Sequence, residues 1–131
     1  MEWFEVFAVF LVSHLVGDYL LQTDWQAVHK RGGLGSDPVA RRALLGHVAT
    51  YTLAFVPALI WLADDLSALA LVGVAAGVAI PHLIQDDGRL LALYVQRVKG
   101  CDIVAFPLVG AAVDQTMHFV MLFALALLVA S

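Results

Sequence analysis

The sequence predicts an all-α, polytopic membrane protein built as a bundle of four transmembrane helices. Hydrophobic residues make up 62% of the 131 residues and charged residues only 14%, whereas soluble domains contain about 45–50% and about 25%. The mean hydropathy is +0.88, and the apolar residues form long runs instead of amphipathic stripes. This composition is typical of a chain that lies in a bilayer. We expect a single membrane domain over residues 1–131.

Four apolar stretches are long enough to cross about 30 Å of hydrocarbon, which takes roughly 20 helical residues. A polar, glycine-rich stretch from Thr23 to Arg42 predicts a loop after the first span, and Asp64 and Asp65 mark a tight hairpin after the second. After the third span, apolar residues at helical spacing with basic residues between them predict a short interfacial helix. The predicted spans cover about residues 3–22, 43–63, 66–86 and 106–130, and the interfacial helix covers about residues 87–100.

All lysines and arginines lie in the first and third loops, on one side of the predicted bundle. The other side carries acidic residues and both termini. The positive-inside rule therefore places the two long loops and the interfacial helix in the cytoplasm and both termini outside. The basic residues are Lys30, Arg31, Arg41, Arg42, Arg89, Arg97 and Lys99.

Each predicted span contains a histidine, and three spans also contain an aspartate four residues away from it. Ionisable residues inside membrane spans are costly and are interpreted as functional by default. A spacing of four places both side chains on one helix face. The second span contributes His47, with Tyr51 one turn further on. The three pairs are His14 with Asp18, His82 with Asp86, and Asp114 with His118.

These residues come alternately late and early in successive spans. Because neighbouring spans run in opposite directions, all of them fall on the cytoplasmic side, within roughly 6–15 Å of its edge. An up-down bundle can direct them towards one centre. The sequence therefore predicts one polar site at one end of the bundle.

Imidazole and carboxylate groups together suit a divalent metal ion such as zinc, manganese or iron. Seven groups exceed what one tetrahedral zinc needs, so a two-metal site is possible by count. Asp18 and Asp86 are the candidate catalytic carboxylates, and Asp86 would act as a base if the ion leaves it free. The predicted metal ligands are His14, Asp18, His47, His82, Asp86, Asp114 and His118.

Three other interpretations of the cluster stay open at this point. The side chains could form a purely structural hydrogen-bond network between helices, or a proton or metal-ion transport path. The histidines could also bind haem axially. The outer halves of the spans consist almost entirely of Leu, Ala, Val and Phe, which argues against a through-path in a monomer.

Three further polar residues lie near the cluster. Gln22 could reach the site from the turn after Asp18. Lys30 is interpreted as a charge that sets topology, with binding of an anionic headgroup as the alternative. Gln115 is expected to point about 100° away from Asp114 because it is the next residue along the helix.

At these residues the sequence resembles an uncharacterised family of small bacterial membrane proteins, a domain of unknown function, over nearly the whole chain. It is also loosely similar to the membrane-bound metal-dependent hydrolases. The resemblance implies a location in the bacterial cytoplasmic membrane. It rests on the motif His14-x-x-Gly17-Asp18-Tyr19-Leu20-Leu21-Gln22-Thr23, on Trp25 and Lys30, on His47-x-x-x-Tyr51, on His82-x-x-x-Asp86 and on Asp114-Gln115-x-x-His118.

The resulting hypothesis is an integral-membrane, metal-dependent hydrolase. The ion would activate water, and the cytoplasmic depth of the site would suit a lipid or another phosphate-bearing substrate. We expect the lipid bilayer as a partner and no nucleic acid. A four-helix protein of this size is also a candidate homo-oligomer.

Overall fold

A computed structural model describes all 131 residues, and every regular element in it is helical. Four helical units are long and apolar enough to cross a membrane, which confirms the all-α class and the number of candidate spans. Their bounds are Trp3–Leu21, Pro38–Leu62, Ala68–Asp86 and Pro107–Val129.

The first unit changes its helical geometry before it ends. Helix α1 covers Trp3–Leu15, and the chain continues as a π-helical turn over Val16–Leu21. A π-helical turn is wider than an α-helical one and is found often at functional sites. The hydropathy of the sequence predicted this unit to within a residue, but it gave no sign of the π-helical turn that contains Asp18.

Part of the predicted first loop is helical. Helix α2 covers Asp24–His29. Thr23 and Gln26 cap it reciprocally: the Gln26 backbone N–H donates to Thr23 Oγ1 at 3.2 Å, and the Thr23 backbone N–H donates to Gln26 Oε1 at 2.9 Å. This capping box satisfies two backbone donors, and it explains why the prediction of a loop was wrong for these six residues.

The second unit begins five residues before the predicted start, with helix α3 at Pro38–Ala54. The Asp37 side chain accepts a hydrogen bond from the Val39 backbone N–H at 2.8 Å. Pro38 occupies the first turn, where a missing N–H costs nothing. Helix α4 follows over Val56–Leu62 after a break at Phe55.

The remaining elements lie close to their predicted bounds. Helix α5 covers Ala68–Asp86, and α7 covers Pro107–Val129. Between them, α6 covers Arg89–Tyr94 and continues as a second π-helical turn over Val95–Lys99, where the interfacial helix is predicted.

The long helices form a ring of neighbours: α1 packs on α7, α7 on α5, and α5 on α3, while α3 contacts the π-helical turn after α1. The end of the bundle with all the lysines and arginines is called here the basic end. The other half contains an apolar core, and the polar cluster lies between that core and the basic end. The core consists of Val6, Phe10, Tyr51, Phe55, Ala58, Leu62, Val74, Val78, Leu122 and Ala126.

Candidate metal centre

Four buried side chains from three helical units meet at the predicted polar site. Asp18 comes from the π-helical turn after α1, His47 from α3, and His82 and Asp86 from successive turns of α5. One candidate ligand atom from each of the four lies within 4.8 Å of the candidate atoms of the other three. These four residues are called here the ligand group.

The distances within the ligand group fit a single metal ion. His47 Nε2 lies 2.8 Å from Asp86 Oδ2, 3.2 Å from Asp18 Oδ1 and 3.0 Å from His82 Nε2. His82 Nε2 lies 3.1 Å from Asp86 Oδ2 and 3.4 Å from Asp18 Oδ1. In tetrahedral sites with ligands at about 2.0–2.1 Å from zinc, neighbouring ligand atoms lie about 3.3 Å apart. The group therefore has the dimensions of a metal site.

The hydrogen-bonding state of the cluster also favours a cation. Asp18 Oδ1 is buried and accepts no hydrogen bond, although it lies among the ligand atoms. An unpaired buried carboxylate oxygen is costly, and a cation would supply the missing partner. The Nδ1 atoms of His47 and His82 are likewise buried without a hydrogen bond. A proton on each Nδ1 would leave both Nε2 lone pairs free to bind a metal.

His14 lies beside the ligand group, and both of its ring nitrogens are already hydrogen-bonded. Its Nε2–H donates to Gln115 Oε1 at 3.0 Å, and its Nδ1 accepts from the Tyr51 hydroxyl at 2.9 Å. His14 Nε2 is 3.7 Å from Asp18 Oδ2. These contacts place His14 as a hydrogen-bonded neighbour of the ligand group, and the ligand role predicted for it stays a prediction. Gln115, whose role the sequence left open, thus contacts the cluster through His14.

Tyr51 connects this hydrogen-bonded chain to the ligand group. Its ring stacks on the ring of His82, with the centroids 3.4 Å apart and the planes 2° apart. The π-helical turn after α1 also packs closely on α3 at Tyr51, since a Cβ atom added to Gly17 would lie 2.6 Å from Tyr51 Cδ2. Gly17 thus permits the contact that holds Tyr51 against His82.

His118 and Asp114 on α7 contribute unequally. His118 Nδ1 donates to the Asp114 backbone carbonyl at 2.8 Å. Its Nε2 is buried without a hydrogen bond and lies 3.4 Å from Asp86 Oδ1, so His118 is adjacent to the ligand group. The Asp114 side chain is half-buried and lies more than 4 Å from every histidine and lysine nitrogen. The predicted Asp114–His118 pair therefore shares a helix face without side-chain contact.

Lys30 enters the site from the loop after α2. Its interpretation as a charge that sets the membrane topology did not predict this contact. Its Nζ donates to Asp86 Oδ2 at 2.7 Å and to Gln22 Oε1 at 2.5 Å. The same Asp86 oxygen also faces His47 and His82. The role of Asp86 as a base stays a prediction. The presence of Lys30 in the family-like motif was the one sequence signal that could have found it.

Asp87 binds the loop between α2 and α3, residues 30–37, to the end of α5. This segment is called here the Lys30 loop. Its carboxylate accepts from the Leu34 backbone N–H at 2.8 Å, and its carbonyl accepts from the Gly32 backbone N–H at 2.8 Å. The hydrogen bond from the Arg89 guanidinium lowers the pKa of the Asp87 carboxyl below its ordinary value. Asp87 therefore stays ionised and keeps Lys30 near the ligand group.

The candidate ligand atoms of the ligand group lie within 4.8 Å of one another. No member of the group lines a surface cavity. The largest cavity, of about 600 Å³, lies between α5, α6 and α7 and is lined by Gln85, Tyr94 and Met117 among others. Haem does not fit among the histidines, because the rings of His82 and His118 are only 4.8 Å apart and those of His47 and His82 only 5.1 Å apart.

Comparison with known proteins identifies the family and no activity. No curated protein and no solved structure matches the chain. The profile of one family matches residues 6–131, which is nearly the whole sequence. The chain therefore belongs to the family described as "Protein of unknown function (DUF3307)".

Proposed function

We propose that the chain is an integral membrane protein that holds one divalent metal ion in the ligand group. The observation that carries the proposal is the convergence of Asp18, His47, His82 and Asp86, with candidate ligand atoms within 4.8 Å of one another. Two imidazoles and two carboxylates suit zinc, manganese or iron. Two ionised aspartates also match the charge of one divalent ion.

The orientation proposed for the protein places the basic end in the cytoplasm. All the lysines and arginines lie at this end, while Glu2, Glu5, Asp64 and Asp65 lie at the other. This distribution supports cytoplasmic loops and external termini under the positive-inside rule. The metal centre would then lie in the cytoplasmic half of the bilayer.

The first experiment measures metal content in protein purified without a histidine tag. We expect about one equivalent of a divalent transition metal per chain in the wild type and a loss of most of it in Asp18→Asn and His82→Ala. His29→Ala is the matched control, because His29 is an exposed histidine outside the bundle. Metal below about 0.2 equivalents, with none taken up on reconstitution, would overturn the proposal.

A second candidate function, hydrolysis at the metal centre, is favoured by one observation. Asp114 is a half-buried carboxylate near the ligand group that makes neither a hydrogen bond nor an ion pair, so it is free to accept a proton. A bound ion would supply Lewis-acid activation of water or of a phosphoryl oxygen. A tetrahedral ion would be saturated by the four ligands, so this function requires an ion of higher coordination number.

The test for hydrolysis separates metal binding from turnover. Asp114→Asn should retain the metal and lose about 10²–10⁴-fold in the rate of p-nitrophenyl phosphate hydrolysis, the typical contribution of a general base. A wild-type protein that holds metal but releases no p-nitrophenol from mono- or diesters would refute hydrolysis of these substrates and leave the metal centre standing.

Transport of the ion through the bundle has less support. The apolar core fills the half of the bundle opposite the basic end, with Val6, Phe10, Leu62 and Leu122 all fully buried. The buried polar and charged residues all belong to the polar cluster or its neighbours Ser13 and Asp87, so none continues the path beyond Tyr51. Metal flux into proteoliposomes that is abolished by His82→Ala would favour transport over the static centre proposed here.

A further inference from the structure

We infer that the metal centre has an oxyanion subsite at the basic end, in which Lys30 and Gln22 bind a phosphate group next to the ion. The inference deepens the proposed function and rests on it. It names the chemical class that the centre would receive, an oxyanion carried by free phosphate or by a phosphorylated molecule.

The ammonium group of Lys30 is the only lysine or arginine nitrogen within 4 Å of a carboxylate in the ligand group. It lies 2.7 Å from Asp86 Oδ2, and its side chain is 14% exposed. The lysine therefore touches a ligand on one side and is open to the surroundings on the other. An ammonium in this position is a usual partner for a phosphate.

Gln22 supplies a second donor at the same place. Its Oε1 accepts from Lys30 at 2.5 Å, and this contact fixes the orientation of the amide. Its Nε2 makes no hydrogen bond within the chain, and the residue is half-buried. The two N–H donors of that amide are thus available beside the ammonium.

The charge of the loaded centre also favours an anion. A divalent ion would be neutralised by Asp18 and Asp86, the two carboxylates of the ligand group. Lys30 would then add one positive charge with no carboxylate of its own, because Asp114 lies more than 4 Å from it. Without the ion, the ammonium group of Lys30 pairs with the Asp86 carboxylate. With the ion bound, the negative charge of Asp86 is shared between the ion and Lys30, so an additional anion would stabilise the ammonium group.

The alternative is that Lys30 only holds Asp86 in place for the ion. The two roles differ in what the loss of Lys30 removes. A purely positioning lysine affects metal content, whereas an anion-binding lysine affects phosphate affinity at unchanged metal content. The experiment is built on this difference.

The test is a calorimetric titration of metal-loaded protein with inorganic phosphate. Metal content is measured on every sample. We expect binding in the wild type, at least tenfold weaker binding in Lys30→Gln and about threefold weaker binding in Gln22→Leu, both with full metal content. Arg31→Gln is the matched control, since Arg31 is the next residue, is exposed and makes no ion pair. It should change phosphate affinity by less than twofold.

Three results would overturn the inference. Equal phosphate affinity in Lys30→Gln and the wild type would show that Lys30 is not a phosphate ligand. A metal-loaded wild type that binds no phosphate would remove the subsite and leave the metal centre intact. A wild type that takes up no metal would remove both, so the two failures are distinguishable.

A further arm separates a lipid headgroup from free phosphate. The titration is repeated in bilayer nanodiscs of phosphatidylcholine alone and of phosphatidylcholine with phosphatidic acid. Loss of phosphate binding in the second bilayer only, for the wild type and for Arg31→Gln, would support the subsite with a lipid phosphate as its ligand. Equal binding in both bilayers would support the subsite with a water-borne phosphate as its ligand.

Discussion

The two halves of the bundle bury their side chains on opposite principles. In the half away from the basic end, buried apolar side chains satisfy one another, and aromatic rings such as Trp3 and Phe7 pack edge-on against Phe123. In the basic half, four histidines, two aspartates and a lysine are packed together, and Asp18 Oδ1 and His118 Nε2 remain without hydrogen bonds. The apolar half has no buried polar group to satisfy, whereas the polar half leaves buried polar atoms for which a cation would supply the missing partner.

The largest expected effect comes from removing Asp86, the carboxylate shared by Lys30, His47 and His82. Asp86→Ala should abolish metal binding and lower the free energy of unfolding by about 3–5 kcal/mol, because it leaves Lys30, whose side chain is only 14% exposed, without its partner. Metal analysis and thermal denaturation in detergent measure the two effects.

The matched change in the apolar half is Leu122→Ala. It should cost about 2–5 kcal/mol of stability through the cavity it creates and leave metal content unchanged. Loss of metal from Leu122→Ala to the extent seen in Asp86→Ala would contradict the division of the bundle into two independent halves.

The second prediction concerns addition of metal to the folded protein. At a free ion concentration about 100 times the Kd, binding should stabilise the wild type by about 2.7 kcal/mol. A chelator should reverse the shift in Tm. His47→Ala should show no shift, while a shift of wild-type size in that variant would place the ion elsewhere.

The third prediction addresses the close contact between α3 and the π-helical turn after α1. Gly17→Ala would place a methyl group 2.6 Å from the Tyr51 ring, and overpacking of this kind costs about 1–3 kcal/mol. Because Tyr51 stacks on His82, metal affinity should fall as well. Gly73→Ala is the control, since a Cβ atom there meets nothing within 4 Å. Metal affinity in Gly17→Ala equal to that of the control would show that Tyr51 does not position His82.

The smallest expected effect is at Asp87, which holds the Lys30 loop. Asp87→Asn should cost about 0.5–1.5 kcal/mol, the usual contribution of a hydrogen bond, and should increase proteolysis between Arg31 and Asp37. The pKa of Asp87 is lowered in the folded state, so its stabilising effect is present above the ordinary aspartate pKa of about 3.9 and is lost as the pH falls through the folded value.

The pH dependence of the stability difference between the wild type and Asp87→Asn isolates the contribution of the Asp87 charge. Because Arg89 is largely exposed, solvent screening keeps the Asp87 contribution small. A wild type and an Asp87→Asn variant with the same difference in stability at neutral pH and well below pH 3.9 would show that the charge of Asp87 is not involved.

The spans could be predicted because hydropathy and length alone determine which segments can cross a bilayer. The π-helical turn at Val16–Leu21 and the cap at Thr23 could not, since both depend on local hydrogen bonds that change no hydrophobic run. The early start of α3 at Pro38 could not be predicted either. Ser36 and Asp37 are equally typical of a turn and of a helix N-cap, and only the structure shows that Asp37 caps α3.

The polar site could be predicted because three pairs at a spacing of four and one further histidine fall at one depth. The different contacts that the individual histidines make within this site could not be predicted. His14 and His82 have similar sequence contexts, yet one is hydrogen-bonded at both nitrogens and the other belongs to the ligand group. Lys30 lies 56 positions before Asp86, and only the docking of its loop through Asp87 brings the two together.

Anomalous X-ray scattering from crystals of metal-loaded protein tests the central claim most directly. The metal centre predicts one strong peak about 2.0–2.3 Å from a nitrogen of His47, a nitrogen of His82 and an oxygen of each of Asp18 and Asp86, the usual range for such ligands. Crystals that contain metal by elemental analysis but show their peak away from these four residues, for example at His29, would contradict it.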